Sequence, residues 1–257
     1  KKYKGATKDK VGAIGRHHLT YFLEMQMRDI VSWHVDEWWD ALEEKELSPA
    51  YMNDIHVWVK SFFRRAKDLD VIDKMPIFPK PPSVPEPEVE DFWSEGEQLA
   101  VLGALPEHDR PIYDFLFLTG CRVNEATGLQ RVDVDRKNKA IIIKHTRKRD
   151  GSLGIVKTKK RRRISYRLAP DLKECLKVSN LLSPFQFLNK WGRPYTDDYL
   201  RDTIYTICDQ MGIKRIKLKN ASRHSFGMGL VSKGFDAWQI SKAFEHSSVR
   251  MTEHYIK

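Results

Sequence analysis

The sequence predicts a mainly α-helical protein with a small β-sheet, an α+β fold made of two domains. Three features of the 257-residue chain support this prediction. Apolar residues recur at helical spacing in the first 74 residues and again from residue 197 onward. Short β-type runs lie between residues 140 and 168. Six of the twelve prolines fall between residues 75 and 88, and such density excludes a helix and favours an extended connector.

These features define the expected domain boundaries. We expect a helical domain over residues 1–74, a proline-rich linker over 75–90 and a mixed domain over 91–257. Ser48 and Pro49 predict a helix start, because a hydroxyl caps the first turn and proline suits its first position. We interpret the Trp and Phe side chains of the first domain as bundle core: Trp38, Trp39, Trp58, Phe62 and Phe63.

In the second domain, residues 111–119 predict a buried helix, and Gly120 is typical of the residue that ends one. Residues 140–143 predict a short strand. Residues 155–168 predict a second and a third strand that pair as a hairpin, with a basic turn between them. Helical patterns return from Asp197 to the end of the chain.

Composition excludes several classes of protein. A content of 41% apolar and 31% charged residues is typical of globular proteins rather than disordered ones. No stretch has the roughly 18 apolar residues of a membrane span, and the polar start is unlike a signal peptide. Cys121, Cys175 and Cys208 are widely spaced, which indicates neither disulfides nor a zinc site and favours a reducing cytoplasm. Because the chain does not begin with Met, we expect it to be part of a longer protein.

The net charge of +10 is concentrated in one segment. Fourteen basic residues and one acidic residue lie between Arg136 and Arg167, so the rest of the chain is slightly acidic. Like charges at this density on strands need counterions, and phosphates supply them. A nucleic acid is therefore the expected partner. The candidate contacts are Arg147, Lys148, Lys157, Lys160, Arg161, Arg162 and Arg163.

Two arginines have surroundings suited to binding a phosphate. Arg122 follows the predicted glycine cap, and Glu125 lies one turn later, where its carboxylate can hold the guanidinium. Arg223 is a second cation that can bind a phosphate with two hydrogen bonds. Taken alone, Arg122 and Glu125 are equally consistent with a structural ion pair.

Two further places offer groups that can transfer protons or attack. A lysine on the basic turn at 156–163 can protonate a leaving oxygen, although the turn itself does not show which lysine does so. His246 and Tyr255 are nine residues apart and point in opposite directions on an unbroken helix. They can converge only if the helix breaks between them, and Ser247 with Ser248 offers a cap for a new helix.

Together these motifs resemble the tyrosine recombinases of the phage integrase type. The shared order is TGxRxxE at 119–125, a basic turn with lysine, Arg223 before a histidine, and HSSxxxTxxY at 246–255. The resemblance is specific from Gly120 to Tyr255. It extends loosely to the first domain, which is similar to the helical core-site DNA-binding domain of that family. The fold that it implies is a C-shaped clamp on DNA.

The resemblance implies a role for each candidate catalytic residue. Members of the tyrosine recombinase family bind the scissile phosphate with two arginines, and they use a lysine as general acid and a tyrosine as nucleophile. The corresponding residues are Arg122 and Arg223 on the phosphate, Glu125 as support for Arg122, Lys159 (alternatively Lys157) as general acid, His246 as hydrogen-bond donor to the phosphate, and Tyr255 as nucleophile.

Asn220 departs from the family pattern, which has histidine three residues before the second arginine. An amide can donate a hydrogen bond to a phosphate oxygen, but it cannot accept and return a proton near neutral pH. We therefore expect Asn220 to belong to the site and to make catalysis slower.

The implied function is site-specific recombination of double-stranded DNA through a 3′-phosphotyrosyl link, as in phages and other mobile elements, with no cofactor or metal. The implied assembly is a homotetramer on recombining sites. We expect a free monomer, because the sequence ends two residues after Tyr255. Two alternatives stay open: a type IB topoisomerase-like strand transferase, and a catalytically impaired DNA-binding regulator, which Asn220 would favour.

Overall fold

The computed structural model describes residues 6–85, 92–156, 161–166, 169–177 and 182–244. The chain divides into two compact units, residues 1–86 and 87–257, and the division falls in the proline-rich segment. No helix in these ranges is long and apolar enough to cross a membrane.

The first unit is a helical bundle of α1 (Ala6–His18), α2 (Ser32–Glu43) and α3 (Pro49–Lys67), with short 3-10 turns between the first two. The predicted start of α3 is confirmed, because the Ser48 hydroxyl accepts a hydrogen bond from Tyr51 N at 3.3 Å. Trp38 and Trp39 are buried, which confirms that they belong to the core. The indole N–H of Trp38 donates to His18 O at 2.6 Å, so its one polar group is satisfied.

The described part of the linker, residues 75–85, contains neither helix nor strand, as its prolines predict. This part is nevertheless packed along α3. The Phe78 ring lies 5.5 Å from the Phe63 ring and 5.7 Å from that of His56. Asn53 Nδ2 donates to Pro82 O at 2.9 Å. These contacts attach the first half of the linker to the first unit.

The second unit is mixed, as predicted. It begins with three helices, α4 (Glu95–Gly103), α5 (Arg110–Thr119) and α6 (Val123–Ala126). Five short strands follow among the described residues: β1 (Val134–Asp135), β2 (Ala140–Ile143), β3 (His145–Arg147), β4 (Leu153–Ile155) and β5 (Arg162–Ser165). The later helices in the described part of the chain are α7 (Leu172–Cys175), α8 (Asp197–Met211), α9 (Leu218–Ser232) and α10 (Ala237–Phe244). Helix α5 is the centre of the core: Ile112, Tyr113, Phe115 and Leu116 are fully buried.

The strands form two antiparallel sheets, and this arrangement corrects one prediction. The basic turn was expected between two paired strands, but β4 pairs with β3, whereas β5 pairs with β2 in the sheet β1-β2-β5. The apolar side chains explain the choice of partner. Pairing β5 with β2 buries Ile141, Ile143 and Ile164, whereas Ile155 at the end of β4 is 76% exposed. Residues 157–160, between β4 and β5, lie outside the described residues.

Gly120 ends α5, as predicted, and its conformation requires glycine for two reasons. Its backbone is left-handed, with φ +59°, which is strained for any residue with a Cβ. A Cβ at this position would also lie 2.7 Å from the rings of both Phe226 and Phe244. The end of α5 is therefore fixed against α9 and α10.

We predict that Gly120→Ala destabilises the protein more than Gly212→Ala. Gly212 is a matched control, because it ends α8 with φ +66° and has open space where a Cβ would be. The left-handed conformation costs about 1–2 kcal/mol at both positions. Crowding against two buried rings adds about 1–3 kcal/mol at Gly120 alone. Urea unfolding measures the difference, and equal losses for the two variants would contradict the packing around Gly120.

We predict that His56 makes the stability depend on pH. Burial lowers the pKa of His56, and the nearby Lys60 lowers it further. An unfolded histidine binds its proton near pH 6.5, whereas folded His56 binds it only at lower pH. The unfolded state thus binds more protons, and the free energy of unfolding decreases as the pH falls below about 6.5.

The test is urea unfolding of His56→Phe at pH 7 and pH 5. This variant keeps a ring between Trp39 and Phe78 and removes the titrating group, so the difference between the two pH values should shrink. An undiminished difference in His56→Phe would contradict the prediction.

Candidate active site

The centre of the candidate site is the loop of residues 119–122, which connects α5 to α6. The Thr119 hydroxyl donates to Phe115 O at 2.6 Å and accepts from Cys121 N at 3.3 Å. Gly120 N donates to Leu116 O at 2.8 Å. The loop therefore continues the hydrogen bonds of the buried helix α5, and Arg122 follows directly at the start of α6.

Arg122 and Glu125 form the ion pair that their spacing suggests. Arg122 Nη1 lies 2.8 Å from Glu125 Oε1, and the backbone N–H of Arg122 donates to Glu125 Oε2 at 3.0 Å. The Glu125 side chain is 6% exposed, whereas that of Arg122 is 44% exposed. A buried carboxylate thus orients a guanidinium that still faces solvent, where an anion can reach it.

Helix α9 brings Arg223 to the same loop. Arg223 Nη1 donates to Gly120 O at 2.7 Å, and its guanidinium carbon lies 4.6 Å from the centre of the Phe244 ring. The contact with Gly120 places Arg223 two residues from Arg122 along the loop. The structure therefore brings Arg223 to Arg122 and Glu125, which lie about 100 residues earlier in the sequence.

Asn220 lies in the first turn of α9, one turn before Arg223, and it is exposed. His224, next to Arg223, faces elsewhere: its ring stacks on that of Phe92 at 4.1 Å. Burial lowers the pKa of His224, so the neutral form is favoured there. These contacts make His224 a packing residue of the second unit.

The basic residues divide between the surface and the interior. Lys148, Arg161 and Arg163 are exposed, as expected for contacts with a polyanion. Arg147 is half-buried, and its Nη1 donates to Tyr195 O at 3.0 Å. Arg162 is 7% exposed, and its Nη2 donates to Thr119 O at 2.6 Å.

The expectation that Arg162 contacts DNA is therefore corrected. Side chains alternate along a strand, so Arg163 faces the exposed side of β5 and Arg162 faces the buried side with Ile164. The sequence showed no sign of this alternation, because the residues on both sides of Arg162 are also basic. The interior role of Arg162 is the feature of this site that sequence analysis missed.

Several predicted site residues lie outside the described residues: Lys157, Lys159, Lys160, His246 and Tyr255. Their roles stay predictions.

Cys121 lies among the charged groups of the site without taking part as a thiolate. Its side chain is fully buried, and burial raises the pKa of its thiol despite the nearby positive charge of Arg162. The thiol is therefore neutral at physiological pH. Within the described ranges, no group of three or more His, Cys, Asp or Glu side chains is arranged to hold a metal ion.

Comparison of the sequence with known proteins finds relatives of one kind, the tyrosine recombinases. Residues 84–257 match the model of the phage integrase family. The tyrosine recombinase XerC of Treponema denticola is 24% identical over 246 residues, which cover 83% of this chain and 75% of that protein. XerD of Bifidobacterium longum is 28% identical over 152 residues, which cover 57% of this chain and 48% of that protein. Over such alignments the chain spans about half the length of several of these relatives.

Solved structures share the fold at low sequence identity. The Tn1549 transposon integrase in complex with circular intermediate DNA superposes with a TM-score of 0.75 at 20% identity, over 98% of this chain and 90% of that one. A lambda integrase dimer bound to a core site gives a TM-score of 0.72 at 14% identity, over 99% and 89% of the two chains. The likeness confirms the predicted fold class. Because the family model covers the loop of Arg122, helix α9 and the end of the chain, the protein belongs to the phage integrase family, the tyrosine recombinases.

Proposed function

We propose that the chain is a site-specific DNA recombinase that cleaves and rejoins double-stranded DNA through a 3′-phosphotyrosyl link at Tyr255. The observation that supports it best is the attachment of two arginines to one loop. Arg122 is oriented by the buried Glu125, and Arg223 donates to Gly120 in the same loop. A DNA phosphodiester is an anion, and the transition state for its cleavage carries more negative charge. Cations fixed before the reaction stabilise that charge without reorganisation.

In the proposed reaction, the Tyr255 oxygen attacks the scissile phosphorus while its proton passes to water, because the Asn220 amide cannot accept it. The bond from phosphorus to the 5′-oxygen breaks, and that oxygen takes a proton from Lys159 or, alternatively, Lys157. His246 donates a hydrogen bond to a non-bridging oxygen. The phosphotyrosyl link conserves the energy of the bond, so attack by a 5′-hydroxyl reverses the step and no cofactor is required.

Asn220 has a limited role in this reaction. Its exposed position one turn before Arg223 suits a hydrogen bond from the amide to the phosphate. It cannot carry the proton of Tyr255, so a general-base contribution, typically about 10²–10⁴-fold, is lost or supplied by another group. We propose an active but slow enzyme, rather than a regulator without activity.

The DNA contacts follow from the surface charge. The exposed Lys148, Arg161 and Arg163, with Lys157 and Lys160, supply the cations for the duplex beside the scissile phosphate. We assign core-site DNA binding to the helical first domain, 1–74. We further propose that the protein is a monomer when free and forms a homotetramer on two recombining sites. We also propose that it originates from a phage or another mobile element.

Type IB topoisomerase-like activity is less favoured. The relatives are named as recombinases, and the solved structures include a transposon integrase and the XerH site-specific recombinase. A relaxation assay on a supercoiled plasmid without recombination sites separates the two activities.

The first prediction concerns Tyr255. Tyr255→Phe should retain its affinity for a DNA duplex, because phosphate contacts by Lys and Arg dominate binding. It should form no covalent adduct with a nicked suicide duplex, because the attacking oxygen is absent. Denaturing gel electrophoresis detects the adduct. An adduct formed by Tyr255→Phe would exclude Tyr255 as the nucleophile, and a parent protein without any adduct would exclude the proposed function.

The second prediction concerns Glu125. Glu125→Gln keeps an acceptor for Arg122 N but loses the charge that orients the guanidinium, so we expect about a tenfold loss in single-turnover cleavage. Glu125→Ala removes both the acceptor and the charge, so it should reduce the rate of single-turnover cleavage further.

Glu97 provides a matched control for Glu125. At the start of α4, Glu97 Oε2 accepts from the backbone N–H of Ser94 at 2.8 Å, in the same geometry but away from the 119–122 loop. Glu97→Gln should cleave like the parent. Equal rates for Glu125→Gln and Glu97→Gln would mean that the Arg122–Glu125 pair is only structural.

A further inference from the structure

Arg162 is a buried cation attached to the loop of the candidate site. It lies on β5 opposite Ile143 of β2 and is 7% exposed. Its Nη2 donates to Thr119 O at 2.6 Å, and its Nη1 lies 3.6 Å from Cys121 Sγ. Its guanidinium carbon lies 5.8 Å from the centre of the Phe226 ring on α9. One guanidinium therefore connects β5, the 119–122 loop and α9.

The loop accepts hydrogen bonds from two arginines at three consecutive residues. Arg162 binds Thr119 and Cys121, and Arg223 binds the carbonyl oxygen of Gly120 between them. Arg122 is the next residue. Thus the backbone from which Arg122 projects is held from two sides by charged donors.

The burial of Arg162 needs an explanation beyond packing. Removing a guanidinium from water is costly unless its hydrogen bonds are replaced. Within the described part of the chain Arg162 forms no ion pair, its Nε has no hydrogen-bond partner, and the acceptors of its other two nitrogens are a carbonyl oxygen and a thiol. A strand position beside Ile164 could hold an apolar side chain at lower cost. The distinctive property of arginine here is its planar fork, which reaches two acceptors on one loop.

We propose that Arg162 is a positioning residue that sets the place of Arg122 at the scissile phosphate by holding Thr119 and Cys121. The inference rests on the proposed function. Arg162 does not touch DNA, because its donors face the interior. It acts through Arg122, and an error of about 1 Å in the place of a reacting or stabilising group can cost about 10²-fold in rate.

The test compares Arg162→Lys and Arg162→Met with Arg201→Lys in single-turnover cleavage of a nicked suicide duplex at saturating protein. Lysine keeps the charge but not the fork, and methionine fills the space without charge. Both Arg162 variants should cleave about 10²-fold more slowly than the parent, with duplex affinity within about threefold. Arg201 is the control: it is an exposed arginine on α8 that pairs with Asp198 at 2.6 Å, and its Lys variant should cleave like the parent.

A second substrate shows which group Arg162 acts through. A methylphosphonate at the scissile position is neutral, so it depends less on Arg122. The loss caused by Arg162→Lys should therefore be at least tenfold smaller on this substrate than on the natural phosphate. A merely structural role would slow both substrates equally.

Four results would overturn the inference. They are parent-like cleavage by Arg162→Lys, an equal loss on both substrates, unfolding of every Arg162 variant, and full rescue of Arg162→Lys by a 5′-phosphorothiolate substrate. The sulfur of that substrate leaves without needing a proton. Such rescue would therefore mean that Arg162 acts through the general-acid lysine and not through Arg122. Failure of the proposed function is distinguishable, because the parent itself would then form no adduct.

Discussion

The 119–122 loop is held in place by a left-handed glycine and by hydrogen bonds from two arginines, and the geometry of the site depends on this constraint. Gly120 has no Cβ, so the rings of Phe226 and Phe244 pack directly against the backbone. That close approach lets Arg223 of α9 reach Gly120 O. A larger residue would separate α9 and α10 from the loop, and the two arginines of the site would lose their common attachment.

The dense basic run has two physical functions, which the alternation of side chains separates. Arg161 and Arg163 face solvent, where their charges need phosphate as counterions. Arg162 faces inward and donates a hydrogen bond to the Thr119 carbonyl oxygen of the 119–122 loop. Lys144 pairs with the buried Asp133 at 2.7 Å, so this cation too is used within the fold. The positive charge available to DNA is therefore smaller than the sequence count, but the interior cations fix the strands that carry the exterior ones.

The sequence predicted the fold wherever local signals and burial agree. Ser48 with Pro49 begins α3, and Gly120 ends α5, because cap chemistry is local. The spacing of Arg122 and Glu125 predicted their ion pair for the same reason. Strand pairing was wrong, because the partner of β5 is chosen by burial of isoleucines that are distant in sequence. Arg162 was misassigned because a charge count cannot distinguish a buried guanidinium from an exposed one.

The burial of Cys121 gives the loop a chemical reporter. Its neutral, fully covered thiol cannot react with an alkylating reagent while the loop is closed, because the thiolate is the nucleophile and the reagent has no access. Alkylation at Cys121 therefore requires an opening of the segment between Thr119 and Arg122. Cys175 and Cys208 are buried in other helices, so the labelling rate of each cysteine reports a different local opening. Cys121, one residue from Arg122, is thus a native probe: its rate of alkylation measures how often the loop that holds Arg122 opens.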